Sequence, residues 1–212
     1  MSLMFPAGTF TEEHSRELAT KISKRQVEVC FMPCDDAWLR DMGPTFVIGQ
    51  NGREVRGVDW TFNGWGEIVD EYKKDDAFAR AFCEAEQYKV YSSDLVCEGG
   101  GLAFDGEGTV ITTETVLLDE NRNGKVKSKE EVESILLKYL GANKIIWLPE
   151  GVYGDADTKG HIDNLVAYVR PGEVVLNWTD EESDPQYPVS ARAEQLLKNA
   201  TDAKGRKFTV HR

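Results

Sequence analysis

The order of predicted elements repeats three times along the chain, and this repeat constrains the fold more than any single motif. Each unit opens with a β-hairpin signal, continues through a helix with apolar residues at i, i+3, i+4 and i+7, and ends in a short strand. The hairpin signals are Asn51-Gly52, Asp105-Gly106 and Pro171-Gly172. Repetition of strand, strand, helix and strand predicts an α/β fold of ββαβ modules arranged as a propeller or array.

Each predicted helix presents one apolar stripe to a core. The stripes are formed by Phe78, Ala81, Phe82 and Ala85, by Val132, Ile135, Leu136 and Tyr139, and by Ala193, Leu196, Leu197 and Ala200. Ser128 and Glu131 have the spacing of a capping box, which predicts where the second helix begins. The strands that follow the helices are expected at 88–91, 144–148 and 207–211.

Residues 9–32 have the pattern of only the second half of a unit. A capping-box pattern at Thr9 and Glu12 predicts the start of a helix. The helix contains Leu18 and Ile22, and an alternating strand follows with Val27, Val29 and Phe31. Met1, Ser2 and Leu3 stand before a second methionine, Met4, and are interpreted as a cloning scar outside the fold. We therefore expect a single-domain fragment over 1–212, with a partial αβ module at 9–32, no leading hairpin, and modules at 42–92, 98–148 and 161–212.

The charge balance limits the partners. With 37 Asp and Glu against 25 Lys and Arg, the net charge is −12, which disfavours nucleic acid and favours a cationic partner. No uninterrupted apolar stretch approaches the ~18 residues of a membrane span, and a secretory signal is absent from the sequence, so we expect a cytoplasmic protein. The cysteines have no CxxC spacing and are expected to be reduced: Cys30, Cys34, Cys83 and Cys97.

A polar cluster stands shortly before each hairpin. The clusters occupy 38–44, 98–101 and 160–164. Because equivalent positions of modules around an axis converge, we expect Asp41, Glu98, His161 and Asp163 to share one cavity. Taken singly, each has a structural alternative: a turn cap for the first aspartate, an exposed loop carboxylate for the glutamate, and a packing role for the histidine.

Three carboxylates around one cavity favour a cation there. A guanidinium, an amine and a metal ion all satisfy this requirement, but the residues lack a spacing specific to a metal. A planar guanidinium matches bidentate carboxylates, and Trp38 or Trp65 is expected to cover its face, although both side chains fit a core role equally well.

Six ordered segments resemble the agmatine deiminase family, which is also called agmatine iminohydrolase. The segments are DDAWLRDMGPTFV (35–47), GVDWTFNGWG (57–66), CEGGGLAFDGEGTVITTE (97–114), IIWLPEG (145–151), GHIDN (160–164) and NWTDEESDPQY (177–187). The resemblance implies a five-module pentein propeller, of which this sequence contains about three and a half modules.

The resemblance also implies roles. Asp41 and Asp163 would hold the guanidinium nitrogens, Glu98 would orient the substrate and assist proton transfer, and His161 would be the general acid and base. Gly160 and the two tryptophans would contribute to substrate binding. The family uses neither a metal nor an organic cofactor, and its product, N-carbamoylputrescine, belongs to putrescine biosynthesis.

The family's nucleophile is a cysteine near the C-terminus, and no cysteine of this sequence matches it. Cys34 and Cys97 are interpreted as packing or incidental thiols. We expect the isolated chain to lack turnover and, because an open propeller exposes strand edges, to form a homo-oligomer or to bind a complementary chain. The alternatives are a peptidyl-arginine deiminase, an inactive guanidinium- or polyamine-binding chain and, with a poorer fit to the segments, an amidino transferase.

Overall fold

The structure is a computed structural model that describes residues 2–6, 12–22, 28–49 and 52–212. Its described strands form three sheets of three strands and one sheet of two strands. In every three-stranded sheet an antiparallel hairpin is extended by a third strand that runs parallel to its neighbour. Since a helix connects the last two strands of each sheet, the predicted ββαβ order is present three times.

The N-terminal unit differs from the expectation. Strand β1 (Ser2–Pro6) precedes helix α1 (Glu12–Ile22), and β1 pairs in parallel with strand β2 (Glu28–Met32). The prediction of an αβ half-unit without a preceding strand was therefore wrong, as was the exclusion of Ser2 and Leu3 from the fold. Thr9 and Val27, on which part of that prediction rested, lie outside the described residues.

The second unit forms the sheet β3-β4-β5. Its elements are α2 (Leu39–Met42), β3 (Thr45–Ile48), β4 (Val55–Thr61), α3 (Gly64–Glu67), α4 (Lys73–Asp76), α5 (Phe78–Ala85) and β5 (Lys89–Val96). The helix stripe predicted here coincides with α5, whereas the strand predicted at 88–91 continues to Val96. Asn51 of the hairpin signal lies outside the described residues.

The third unit forms the sheet β6-β7-β8. A 3₁₀ turn (Gly99–Gly101) leads into β6 (Ala103–Phe104), β7 (Thr109–Thr113), α6 (Glu114–Leu117), a π-helical turn (Glu120–Gly124), α7 (Lys129–Leu140) and β8 (Lys144–Leu148). The predicted capping box is confirmed, because the side chain of Ser128 accepts from the Glu131 amide and the Glu131 side chain accepts from the Ser128 amide.

The fourth unit forms the sheet β11-β10-β9. Its elements are a 3₁₀ turn (Ile162–Asn164), β9 (Val166–Arg170), β10 (Glu173–Leu176), α8 (Gln186–Asn199) and β11 (Thr209–His211). The hairpin at Pro171-Gly172 is present, and Gly172 has the positive φ of 78° that such a turn requires.

The described core contains two apolar clusters that each bridge neighbouring units. One contains Val58 and Trp60 of β4 together with Val132 and Leu136 of α7. The other joins Leu148 of β8 to the strands of the fourth unit and to α8. These clusters fix the units against each other and so position the loops at the ends of the strands. No helix in the described part of the chain is long and apolar enough to cross a membrane.

Candidate active site

A cavity of about 550 Å³ lies between loops of the second unit and the segment 155–164, which leads into the fourth unit. It is lined by Trp38, Arg40, Asp41, Trp65, Ile68, Val69, Asp155, Asp157, Thr158, His161, Asp163 and Asn164. The residues that line it include five of the seven predicted site residues, and their side chains combine carboxylates with indole and aliphatic groups. The cavity can therefore accept a cationic head and an apolar stem.

Three predicted site residues converge beside Gly100 of the 3₁₀ turn. A Cβ atom at this glycine would lie 2.4 Å from His161 Nδ1, 2.7 Å from Asp41 Oδ1 and 3.0 Å from Asp163 Oδ2. Such distances are too short for a side chain of any size. Glycine is therefore required at this position for the imidazole and the two carboxylates to come together.

Asp41 is held by both of its carboxylate oxygens. Oδ1 accepts a 2.9 Å hydrogen bond from the Gly100 amide, and Oδ2 accepts a 3.0 Å bond from the indole Nε1 of Trp65. The residue lies in the short helix α2 and is buried. These two donors fix the orientation of the carboxylate.

Trp65 reaches Asp41 from an unusual backbone turn. Four consecutive residues, from Gly64 to Glu67, have positive φ, with values of 68°, 58°, 80° and 64°. A tryptophan in the left-handed region is strained, and such strain persists only where surrounding contacts hold it. Here the side chain of Asn63 accepts from the Gly66 amide and donates to the Asn121 carbonyl, which holds the turn and directs the indole into the cavity wall.

His161 is buried between carboxylates on both sides of its ring. Nδ1 lies 3.7 Å from Asp41 Oδ1, and Nε2 lies 3.7 Å from Glu98 Oε2. Burial alone would lower the pKa of His161, but the neighbouring Glu98, Asp41 and Asp163 carboxylates outweigh it, and the pKa is raised. The imidazole therefore stays protonated to a higher pH than a free histidine side chain does.

Glu98 lies behind the histidine, with no part of its side chain exposed, and does not line the cavity. Its Oε1 accepts a 2.8 Å hydrogen bond from Nε of Arg122, whose side chain is also fully buried. Burial opposes ionisation, yet the His161 ring and the Arg122 guanidinium together lower the pKa of Glu98. The sequence predicted that Glu98 would share the cavity, whereas the structure places it one layer deeper.

The remaining predicted residues take different positions. Burial raises the pKa of Asp163, which lines the cavity with its carboxylate. Trp38 also lines the cavity and is 62% exposed, so it lies toward solvent. Gly160 does not line the cavity: its amide donates to Asp155 Oδ2 and its carbonyl accepts from Thr113 Oγ1, so it supports the loop that carries His161.

Two buried thiols lie in the apolar interior. Cys97 belongs to the cluster around α7, and burial raises its pKa well above the ordinary value, an effect to which the neighbouring Glu98 carboxylate adds. Burial also raises the pKa of Cys83, to about 11. Both are protonated near neutral pH and poorly suited to nucleophilic attack. Among the described residues, none of those lining the cavity is a cysteine.

Sequence reasoning missed Arg122, Asp155 and Thr158. Asp155 accepts from the amides of Thr158 and Gly160, and Thr158 Oγ1 in turn accepts a 3.2 Å bond from the His161 amide. The segment 155–160 contains the turn formers that predict such a loop, but Arg122 carries no signal in the sequence. In the described residues no group of three or more His, Cys, Asp or Glu side chains has a geometry that could hold a metal ion.

The sequence profile of the Porphyromonas-type peptidyl-arginine deiminases matches residues 6–212. The chain belongs to this family. An agmatine deiminase of Ectopseudomonas mendocina is 51% identical to it over 183 residues, which are 84% of this chain and 49% of the relative. The resemblance to agmatine deiminases stated from sequence is therefore confirmed.

Solved structures agree with this assignment. The agmatine deiminase of Enterococcus faecalis superposes with a TM-score of 0.87 and 40% identity, covering 100% of this chain and 57% of that one. A C. jejuni agmatine deiminase with substrate bound gives a TM-score of 0.79 and 27% identity, covering 99% and 59%. The predicted α/β pentein fold is confirmed, whereas the number of modules stays a prediction. The family member described here spans about half the length of the curated relatives it matches.

Proposed function

We propose that this chain forms the guanidinium-binding and proton-transfer part of an agmatine deiminase, which hydrolyses agmatine to N-carbamoylputrescine and ammonia. The observation that carries the proposal is the convergence of Asp41, Asp163 and His161 beside Gly100 at the wall of a cavity lined by two tryptophans. The agmatine deiminases that match the chain support the choice of substrate.

The two aspartates are assigned to substrate binding. Asp41 is oriented by Gly100 and Trp65, and Asp163 stands close to the same point, so their carboxylates can accept hydrogen bonds from guanidinium nitrogens. Ile68, Val69 and the indole of Trp65 offer an apolar wall for the aliphatic stem. Binding energy is thereby used to orient the central guanidinium carbon for attack.

His161 is assigned to proton transfer, supported by Glu98. A thiolate attacks the guanidinium carbon, the C–N bond to one terminal nitrogen breaks, and protonated His161 supplies the proton with which ammonia leaves. Neutral His161 then takes a proton from water, whose oxygen attacks the amidino carbon. Breaking the carbon–sulfur bond releases N-carbamoylputrescine and the thiolate.

The thiolate in this scheme is assigned to a cysteine outside these 212 residues. Support comes from the burial of Cys83 and Cys97, and from the cavity wall, which is free of cysteine in the described part of the chain. The matched segment covers only 52% of each of two curated relatives. On this assignment the 212-residue chain binds agmatine without turning it over.

Peptidyl-arginine deiminase is the second candidate. The description of the matching family favours it, and the exposed Trp38 at the cavity wall leaves room for a larger substrate. A catalytically inactive guanidinium or polyamine binder would use the same carboxylates. The substrate tail distinguishes these candidates, since agmatine ends in an amine and a peptidyl arginine continues into amide groups on both sides.

Calorimetry with agmatine, free arginine and a blocked arginine amide tests the proposal on the chain and on D163N. We expect saturable agmatine binding that is at least about tenfold weaker in D163N, because a hydrogen bond to a charged group contributes roughly 1.5–3 kcal/mol. The matched control is D59N, which removes a buried carboxylate paired with Arg80 away from the cavity. Preference for the blocked arginine amide would favour the peptidyl substrate. An equal loss of agmatine affinity in D163N and D59N would overturn the assignment of Asp163 to the binding site.

Ammonia release distinguishes an active deiminase from a catalytically inactive guanidinium-binding protein. The chain expressed with its native flanking sequence is expected to release ammonia from agmatine, and the 212-residue chain is expected to release none. Turnover by the 212-residue chain would show that the nucleophile had been misassigned. Binding without turnover in the longer protein as well would favour the inactive binder.

A further inference from the structure

Arg122 is a fully buried cation outside the cavity wall. It lies in the π-helical turn Glu120–Gly124, which begins after Asp119 accepts a hydrogen bond from the Asn121 amide. π-Helical turns are rare and occur frequently at functional sites. Such a turn directs Arg122 inward, whereas its sequence neighbours Glu120 and Lys125 remain exposed.

The guanidinium of Arg122 joins two parts of the site. Its Nε donates to Glu98 Oε1 at 2.8 Å, and its Nη2 donates to the carbonyl of Thr158 at 3.0 Å. The hydroxyl of Thr158 accepts from the amide of His161. One rigid fork therefore holds both the carboxylate beside the histidine ring and the loop that carries the histidine backbone.

The three side chains also leave polar atoms without hydrogen-bond partners among the described residues. These atoms are Arg122 Nη1, Glu98 Oε2 and His161 Nε2, and all are buried. The last two lie 3.7 Å apart, with the carboxylate directed at the ring nitrogen. Leaving buried polar atoms unpaired is costly, which favours a functional reason for this arrangement.

We propose that Arg122 is a positioning residue of the reaction, fixing Glu98 and the His161 loop so that the Glu98 carboxylate faces the imidazole nitrogen. The proposal rests on the proposed function, because it concerns the same proton-transfer group. Arg122 acts through Glu98 and Thr158 and does not itself line the cavity.

The charged groups around His161 and Glu98 indicate how removal of Arg122 would change the protonation of Glu98. His161 faces Asp41 from α2, Glu98 from the end of β5, Asp155 from its own loop and Asp163 from the following turn. Arg122 itself is near Glu98 and Asp119, and Lys159 pairs with Asp119. Without the guanidinium, Glu98 would lose its paired cation in a buried position, and its protonated form would be favoured.

The experiment compares R122Q, which removes the charge, with R122K, which keeps a charge but cannot donate to both acceptors. The matched control is R206Q, which breaks a pair with Asp202 and Glu107 far from the cavity. Carbon-detected NMR of the glutamate carboxyls follows Glu98, assigned through loss of its signal in E98Q. Imidazole signals are followed in parallel, and only three histidines contribute to them.

In the wild-type chain we expect Glu98 to stay ionised down to below its ordinary pKa of 4.5. R122Q should raise that pKa and change the His161 signals, R122K should keep the Glu98 pKa low while changing the His161 signals, and R206Q should leave both unchanged. In the longer protein, R122Q should lower kcat about 100-fold with KM changed less than about threefold, since small misplacement of reacting groups has effects of this size.

The NMR readout requires no turnover, so it decides the role of Arg122 even if the proposed activity fails. Unchanged Glu98 and His161 signals in a folded R122Q chain would overturn the proposal. If the chain with its native flanking sequence is active, an unchanged kcat in its R122Q variant would also overturn the proposal. If R122Q does not fold, R122K decides. Wild-type His161 signals in R122K would show that the two hydrogen bonds donated by Arg122 do not position the histidine and that only its positive charge matters.

Discussion

Among the buried carboxylates that pair with an arginine, Asp202 and Glu98 are satisfied to different extents. Asp202 accepts from the amides of Lys204 and Arg206 and from the Arg206 side chain, so both of its oxygens have donors. Glu98 accepts from Arg122 through Oε1, while Oε2 has no donor within the described residues. The first pair closes a turn before β11, and the second lies behind the cavity.

The difference distinguishes structural polar groups from functional ones. A network that satisfies itself rigidifies its surroundings and leaves nothing for a ligand to bind. The cluster of Glu98, Arg122 and His161 retains unpaired buried atoms and a raised His161 pKa, which are the properties expected where protons are moved. The incompletely paired cluster therefore has the properties of a functional site, and the Asp202 pair has those of a structural one.

The largest effect that would separate the two networks is expected from G100A. Its new methyl group would overlap His161, Asp41 and Asp163, so agmatine affinity should fall at least about 100-fold while most of the fold is retained. The control is G101A, whose methyl group would meet only Val116 at 3.2 Å and should cost stability without affecting binding. Calorimetry measures agmatine affinity, and thermal unfolding measures stability. Wild-type affinity in G100A would contradict a binding site formed by the three side chains beside Gly100.

A smaller effect is expected from W65F, which removes the indole donor to Asp41. Agmatine affinity should fall about tenfold, because a hydrogen bond to a charged group is lost. W60F removes an equivalent 3.0 Å indole bond, to Thr45 in the core, and should lower the free energy of unfolding by about 1 kcal/mol with the dissociation constant unchanged. Equal affinity losses in the two variants would show that Trp65 acts only through packing.

The smallest effect is expected at the satisfied pair, in D202N. The pKa of Asp202 is lowered: burial opposes this, but the Arg206 amide and side chain and the Lys204 amide prevail. Its stabilising contribution is therefore present above the ordinary value of 3.8 and is lost as the pH falls through the lowered pKa. The melting temperature of D202N should lie below wild type at pH 7 and approach it at pH 3, with agmatine affinity unchanged at pH 7. A constant difference across that range would contradict the ionic contribution.

The sequence predicted the parts of the site that follow from periodicity. Asp41, His161 and Asp163 stand at equivalent places before hairpins, and the structure brings them together, although their roles in the reaction stay predictions. Helix α5 was predicted at its observed bounds because the first and last residues of its apolar stripe, Phe78 and Ala85, are also the ends of the helix. Helix α7 was predicted from both its stripe and its capping box.

Other features depend on contacts distant in sequence. Arg122 lies in the string NRNG, which is typical of an exposed turn, and only the π-helical turn directs it to Glu98, 24 positions earlier. Trp65 adopts a backbone conformation that no propensity favours. Strand β1 was missed because its residues have no apolar alternation of their own and the assignment depends on pairing with β2.

Every three-stranded sheet is formed from strands that follow one another in the chain, with no strand hydrogen-bonded into a neighbouring sheet among the described residues. Backbone pairing is therefore local to each unit, and units emerging from the ribosome can complete their sheets in turn. The cavity is different, because its lining comes from the second unit and from the segment 155–164 that leads into the fourth unit, and these parts meet only after the units dock. Ligand binding should consequently be the last native property acquired during folding, and the first lost when the docking of units loosens.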